Sequence, residues 1–225
     1  LGEQVIVLPY VRPGFLLAKA SADAFDAHPG SRALVWMRHG LLTWGDTARE
    51  SYERTIDLVS RAEEFLRRAA TRSVAVSIGR AAVVASTRLP AVAPLVRGIL
   101  GRAAAERRGA LQRVIIRPVI DDRILAWLEA PGARELFVTS PLTSDHLIRT
   151  KAFPLWIDAP DYEQGDRLRE QVARGVSCYV QQYEAYLDRH RHAVPAGLAR
   201  FDPLPRVVLM PVSYTHLTLP TKRIV

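Results

Sequence analysis

The stretch RALVWMRHGLLTWGDTARESYERTIDLVSRAEEFLRRA, residues 32–69, decides the fold. Its first seven residues, RALVWMR (32–38), are apolar on both faces and predict a buried strand. His39-Gly40 ends that strand, and LLTWG (41–45) predicts a second one. Thr47 and Glu50 then stand in the T-x-x-E spacing of a capping box, in which the threonine accepts from a free backbone N–H and the glutamate reaches back. The helix they open is predicted over 47–70. Tyr52, Ile56, Val59, Ala62, Leu66 and Ala69 recur at helical spacing and predict the face that packs on the sheet. A strand, a histidine at its end, a second strand and a capped helix form one α/β unit.

Upstream, EQVIVL (3–8) predicts a strand, PYVRPG (9–14) a Pro/Gly turn, and FLLAKASADAF (15–25) a helix. Downstream, residues 71–89 are apolar but interrupted by Ser and Arg, without a clear period. Residues 89–109 predict a helix kinked near Pro94. QRVIIRP (112–118) predicts a strand, DDRILAWLEA (121–130) a short helix and RELFVTS (134–140) a strand. PLTSDHLIRTKAFP (141–154) predicts a polar loop, LWID (155–158) a short strand, and 161–192 one long helix weakened at Gly175. DPLPRVVLM (202–210) leads into a last strand. Alternating strands and helices define an α/β layered domain.

Composition narrows the function classes. With 48% hydrophobic and 24% charged residues the chain fits a globular protein. No unbroken apolar run reaches the roughly 18 residues that span a bilayer, so no membrane partner is expected. Cys178, the single cysteine, excludes an internal disulfide and fits a reducing compartment, with cytoplasmic localisation as the expectation; on its helix it reads as a small buried hydrophobe. The net charge is +8. The basic residues are nearly all arginines scattered along helices beside Glu and Asp, which makes solvated helix faces rather than a phosphate-tracking stripe. Nucleic acid is therefore not expected as a partner.

His39 is the residue with chemical interest. At the end of a buried strand, before a glycine, its side chain points into the crevice where α/β folds carry sites. The residues alone leave two readings open: a hydrogen-bonded structural histidine, or a ligand, and one histidine makes no metal site by itself. In TSDHLIRTK, His146, Arg149 and Lys151 can bind an anionic group such as a phosphate. The same loop can equally be a structural tie, with Asp145 as a helix N-cap.

PYVRPGFLLAKA followed by LVWMRHGLLTWGDTARESYERTIDLVSRAEEFL resembles the class II aldolase/adducin family, and PLTSDHLIRTK (141–151) with DPLPRVVLMP (202–211) resembles the aldolase part of bifunctional rhamnulose-phosphate aldolase/lactaldehyde dehydrogenase proteins. The resemblance spans residues 5–211. It implies a layered α/β/α fold and a zinc-dependent retro-aldol cleavage of a sugar phosphate, and it admits a homo-oligomer of the longer protein. In that family three histidines hold zinc: an upstream H-x-H pair and the strand-end histidine, which His39 matches. The H-x-H pair and the acidic residue that assists proton transfer are not in this sequence, so no catalytic residue is assigned, and with one ligand of three these residues alone should neither hold zinc tightly nor catalyse. The resemblance also implies a short-chain dehydrogenase with an NAD site after Pro211; no G-x-G-x-x-G follows a strand here, so no NAD site falls within these residues. A non-catalytic association module, as in adducin-like relatives, is the alternative.

The expected organisation is an aldolase-like half domain over 1–88, a connecting α/β region over 89–211, and a tail over 212–225. The tail segment VSYTHLTLPT resembles the translation of a sequencing-library adaptor read in frame, which implies that 212–225 are not native; Tyr214, His216 and Lys222 are therefore left out of the site. The opening at Leu1, running straight into VIVLPY, implies a fragment incomplete at both ends.

Overall fold

The computed structural model describes residues 2–70, 81–108, 113–194, 197–211 and 216–218, with side chains left undescribed for 105–108 and 216–218. These residues form a mixed α/β chain in two compact units: Leu1–Ser73 with Leu142–Asp145, and Val74–Pro141 with His146–Val225.

The first unit holds β1 (Val5–Leu8), α1 (Phe15–Ala27), β2 (Ala33–Trp36), β3 (Gly40–Thr43) and α2 (Ala48–Ala69). β1 pairs parallel to β2, with Val5 opposite Ala33 and Leu8 opposite Trp36, and β2 pairs antiparallel to β3. The parallel pair needs a crossover, which α1 supplies. Ala33 and Leu34 of β2 are fully buried, as the apolar run predicts.

Helix α2 starts where the capping box places it. Thr47 Oγ1 accepts from Glu50 N at 3.1 Å. Glu50 Oε2 reaches one residue further back than predicted and accepts from Asp46 N at 2.9 Å. The packing face, however, is corrected. Tyr52, Ile56, Val59 and Leu66 are 66%, 50%, 43% and 66% exposed. The face toward the sheet is Ser51, Thr55, Leu58 and Ala62, of which Leu58 is buried and the others half-buried. Hydrogen bonds set this rotation. Thr43 Oγ1 on β3 donates to Ser51 O at 2.9 Å and lies 2.7 Å from Thr55 Oγ1, while Ser51 Oγ donates to Thr43 O at 3.1 Å. Arg54, bonded to Glu50 and Trp44 O, holds the first turns in place. A polar seam thus displaces the apolar stripe by about one residue, or 100° of rotation.

The second unit holds α3 (Ala81–Arg108), β4 (Arg117–Val119), α4 (Asp122–Glu129), α5 (Ala133–Phe137), most of α6 (Ser144–Thr150), β5 (Leu155–Trp156), α7 (Gly165–Arg189), β6 (Val207–Leu209) and β7 (His216–Thr218). The sheet order is β4-β7-β6-β5, with β5 and β6 parallel and the other pairs antiparallel. The core joins Val92, Val96 and Leu100 of α3 to Leu168, Val172, Val176 and Tyr179 of α7 over Leu155, Val208 and Met210. Helix α7 runs unbroken through Gly175. A Cβ there would meet Ile157 Cδ1 at 2.7 Å, so the glycine lets the helix lie close on the strand.

Several expectations are corrected here. RELF is helical, as its Ala-Arg-Glu-Leu-Phe composition favours, and not a strand. The polar loop over 141–154 contains α6. Helix α3 begins at Ala81 and includes both Pro90 and Pro94. Its stretch Ala81–Ala104 is long and apolar enough on average to cross a bilayer, although arginines break the run; Val92, Val96, Leu100 and Ala104 at i,i+4 spacing lie in the protein core. Cys178 is exposed rather than buried. Of the stretch expected to be foreign, His216–Thr218 forms β7 against β4 and β6, and the rest lies outside the described residues. The unclassified segment 71–89 lies outside them up to residue 80.

Candidate functional site

His39 stands at the tip of the β2–β3 hairpin. Trp36 O accepts from His39 N at 3.0 Å, and Arg38 takes a left-handed φ of 60° to close the turn. Trp36 positions the imidazole: its Nε1 donates to Ser21 Oγ on α1 at 2.9 Å, and its ring meets the His39 ring edge-on at 5.4 Å. The histidine is exposed, and its Nδ1 lies 3.4 Å from Ser144 Oγ, in the 142–145 segment of the same unit. A ring oriented from one side and open on the other is what a ligand position requires. Among the described residues, no group of three His, Cys, Asp or Glu could hold a metal ion. His39 is therefore one imidazole in place, and the described residues do not complete a zinc centre.

His146, Arg149 and Lys151 belong to the second unit. His146 and Arg149 are three apart on α6, hence on one face, and both are exposed. Arg149 has no ion pair or hydrogen-bond partner among the described residues. An exposed guanidinium beside an imidazole suits an anion.

Lys151 is oriented differently from these two. It follows the last turn of α6 with a φ of 65°, its N–H donating to Leu147 O at 2.9 Å. This is the left-handed position that usually ends a helix with glycine. The side chain is 3% exposed. Its Nζ donates to Asp202 O and Leu204 O, lies 3.5 Å from Asp202 Oδ1, and sits 4.7 Å from the Tyr183 ring centroid. Arg206 Nη2 holds the other Asp202 oxygen at 3.3 Å, and Asp202 Oδ1 also accepts from Leu204 N at 3.2 Å. Burial lowers the Lys151 pKa to about 8, against the opposing pull of Asp202. Burial likewise raises Tyr179 and Tyr183, with neighbouring tyrosines adding to the rise. The ammonium thus ties the end of α6 to the approach of β6 and the side of α7. Sequence reasoning grouped it with His146 and Arg149 and missed Asp202, its charge partner 51 residues away, for which no local pattern gives a signal.

The family of this α/β chain follows from comparison with known proteins. Residues 1–66 match the class II aldolase and adducin N-terminal domain, and residues 87–216 match the aldolase class II second domain. The chain belongs to the class II aldolase family. It is 28% identical over 215 residues to the uncharacterized oxidoreductase YuxG of Bacillus subtilis (strain 168), an alignment covering 93% of this chain and 30% of that relative. The chain therefore spans less than a third of the curated relative's length. No solved structure matches.

Proposed function

We propose that this chain is part of a longer zinc-dependent class II aldolase of the cytoplasm. That protein cleaves a ketose 1-phosphate, such as rhamnulose 1-phosphate, into dihydroxyacetone phosphate and lactaldehyde, and it carries an NAD-dependent short-chain dehydrogenase domain as well. The observation that carries this reading is the position of His39: oriented by Trp36, exposed, and within a segment matched by the aldolase family. The oxidoreductase naming of a relative more than three times as long supports the fusion. In the layered α/β/α arrangement proposed, His39 supplies one imidazole to a zinc ion whose other ligands come from outside the described residues. Zinc, when bound, would stabilise charge on the substrate oxygens. Within the second unit, Arg149 and His146 would take an anionic group, and Lys151 would fix the end of the helix that carries them.

The second reading is an association module that keeps the fold without the chemistry. The exposed Tyr52, Ile56, Val59 and Leu66 on α2 favour it, since contiguous apolar surface marks interaction sites. One experiment separates the two: zinc titration of the protein expressed from the complete reading frame, with a rhamnulose 1-phosphate cleavage assay, in wild type and His39→Ala. The aldolase reading expects zinc binding and dihydroxyacetone phosphate release, both lost in the variant. Zinc binding unchanged by His39→Ala overturns the ligand assignment. Zinc bound without any cleavage favours the association module.

A further inference from the structure

We infer that the groove between α3 and the extended segment after it is a binding site for an organic phosphate with an apolar body, separate from His39 and from α6. The groove encloses about 690 Å³, within the roughly 300–1,000 Å³ of small-molecule sites. One wall is the face of α3 that carries Pro94, Arg97, Gly98 and Arg102; the other is the run from Arg113 through Ile115. The opposite face of α3, with Val92, Val96 and Leu100, is buried in the core. The helix is therefore anchored on one side and open on the other.

Three observations point to the ligand. First, the lining is one-signed. Arg97, Arg102 and Arg113 all border the groove; among the described residues no acidic one does, and none of the three has an ion pair or hydrogen bond there. Guanidinium groups lining one cleft favour a phosphate, which they can grip in bidentate fashion. Secondly, Gly98 sits in the interior of a 28-residue helix, where glycine costs about 0.5–1 kcal/mol relative to alanine. Nothing lies within 4 Å of a Cβ built at this position. No neighbour among the described residues requires the glycine, and its bare backbone forms a floor on which a flat group can rest. Thirdly, the far wall is apolar: Ile115 is 66% exposed. A small inorganic anion gives no reason for Pro94 and Ile115 to flank the arginines, and a neutral ligand gives no reason for the arginines. A phosphate ester with a planar or aliphatic body uses both.

The test uses 4-methylumbelliferyl phosphate as the probe, titrated into the full chain by calorimetry, alongside inorganic phosphate and neutral 4-methylumbelliferone. The expected result is binding of the ester, and binding of the other two at least about tenfold weaker. Arg97→Ala/Arg102→Ala should weaken the ester by at least about tenfold. Gly98→Leu, whose side chain would project into the open groove, should remove binding while the circular dichroism of the helices is kept. Arg149→Ala should leave binding unchanged. The inference is overturned if the ester does not bind, if the neutral compound or free phosphate binds as tightly, or if folded Gly98→Leu binds like wild type. It is also overturned if Arg149→Ala abolishes binding, because the probe then occupies the α6 anion site, whose own reading stands or falls separately.

Discussion

Replacing Lys151 with methionine tests how the buried ammonium is balanced. In the folded chain its pKa is lowered by burial from the ordinary 10.5 to about 8. A lysine whose folded pKa is lower than its unfolded pKa binds more protons unfolded than folded over the interval between them. Stability must then rise with pH across that interval, at about 1.4 kcal/mol per unit. From pH 8 to 10 the wild-type chain should gain about 2–3 kcal/mol from this one group. Above pH 10 the sign reverses. Tyr179 and Tyr183 hold their protons in the fold more tightly than in the unfolded chain, so their ionisation on unfolding lowers stability there. In Lys151→Met the rise between pH 8 and 10 should vanish, because no titrating group remains at that position and the other groups cancel in the comparison. At pH 7 two effects oppose. Methionine escapes the charging penalty of about 3 kcal/mol. It also leaves the carbonyls of Asp202 and Leu204 without their donor, at about 1–3 kcal/mol each, and removes the partner of Asp202, which keeps Arg206. The orphaned acceptors, about 2–6 kcal/mol together, should outweigh that penalty by up to about 3 kcal/mol at pH 7, and the deficit should widen toward pH 10 as the wild type gains. The assay is urea unfolding followed by far-ultraviolet circular dichroism at half-unit pH steps. A variant with the same pH slope as wild type, or a wild type that loses stability between pH 8 and 10, refutes the reasoning.

The corrected face of α2 gives a paired test: Leu58→Ala should destabilise by about 2–5 kcal/mol, whereas Ile56→Ser should stay within about 0.5 kcal/mol, both by the same unfolding assay. Equal costs would restore the face read from the apolar spacing. At Gly175, alanine gains helix propensity but sets a Cβ 2.7 Å from Ile157 Cδ1; overpacking should dominate, with a net loss of about 1–3 kcal/mol and a lower melting temperature. A melting temperature equal to or above wild type would show that Ile157 moves aside freely.

What the sequence makes legible here is what local hydrogen bonding and local spacing control. The start of α2 follows from Thr47 and Glu50, that of α4 from Asp121, whose carboxylate accepts from Arg123 N and Ile124 N at 2.9 and 3.1 Å. The buried strand before His39 follows from the apolar run ALVWM, and the histidine stands at the hairpin tip, next to Arg38, whose left-handed φ closes the turn. The rotation of α2 is not legible. Its apolar residues do form a stripe, but the seam of Thr43, Ser51 and Thr55 reads in sequence as ordinary surface. Ser and Thr become a packing face only when a partner strand presents its own hydroxyl, and that partner is known only from the fold.

The same limit explains the trio that the sequence predicts as an anion site. Read as a loop, TSDHLIRTK places His146, Arg149 and Lys151 within reach of one another. Read as a helix, residues three apart share a face, whereas a step of two turns the side chain by about 200°. His146 and Arg149 therefore stay together, while Lys151, beyond the last turn and in the left-handed conformation, faces the other way. The physical signal lay in Lys151 itself. A lysine where helices usually end in glycine accepts backbone strain, and such strain persists where the surroundings over-determine the position. Two carbonyls, a carboxylate and a tyrosine ring supply that constraint. The strained lysine is what fixes the end of α6, and any ligand taken by His146 and Arg149 meets a helix already held at its C-terminus.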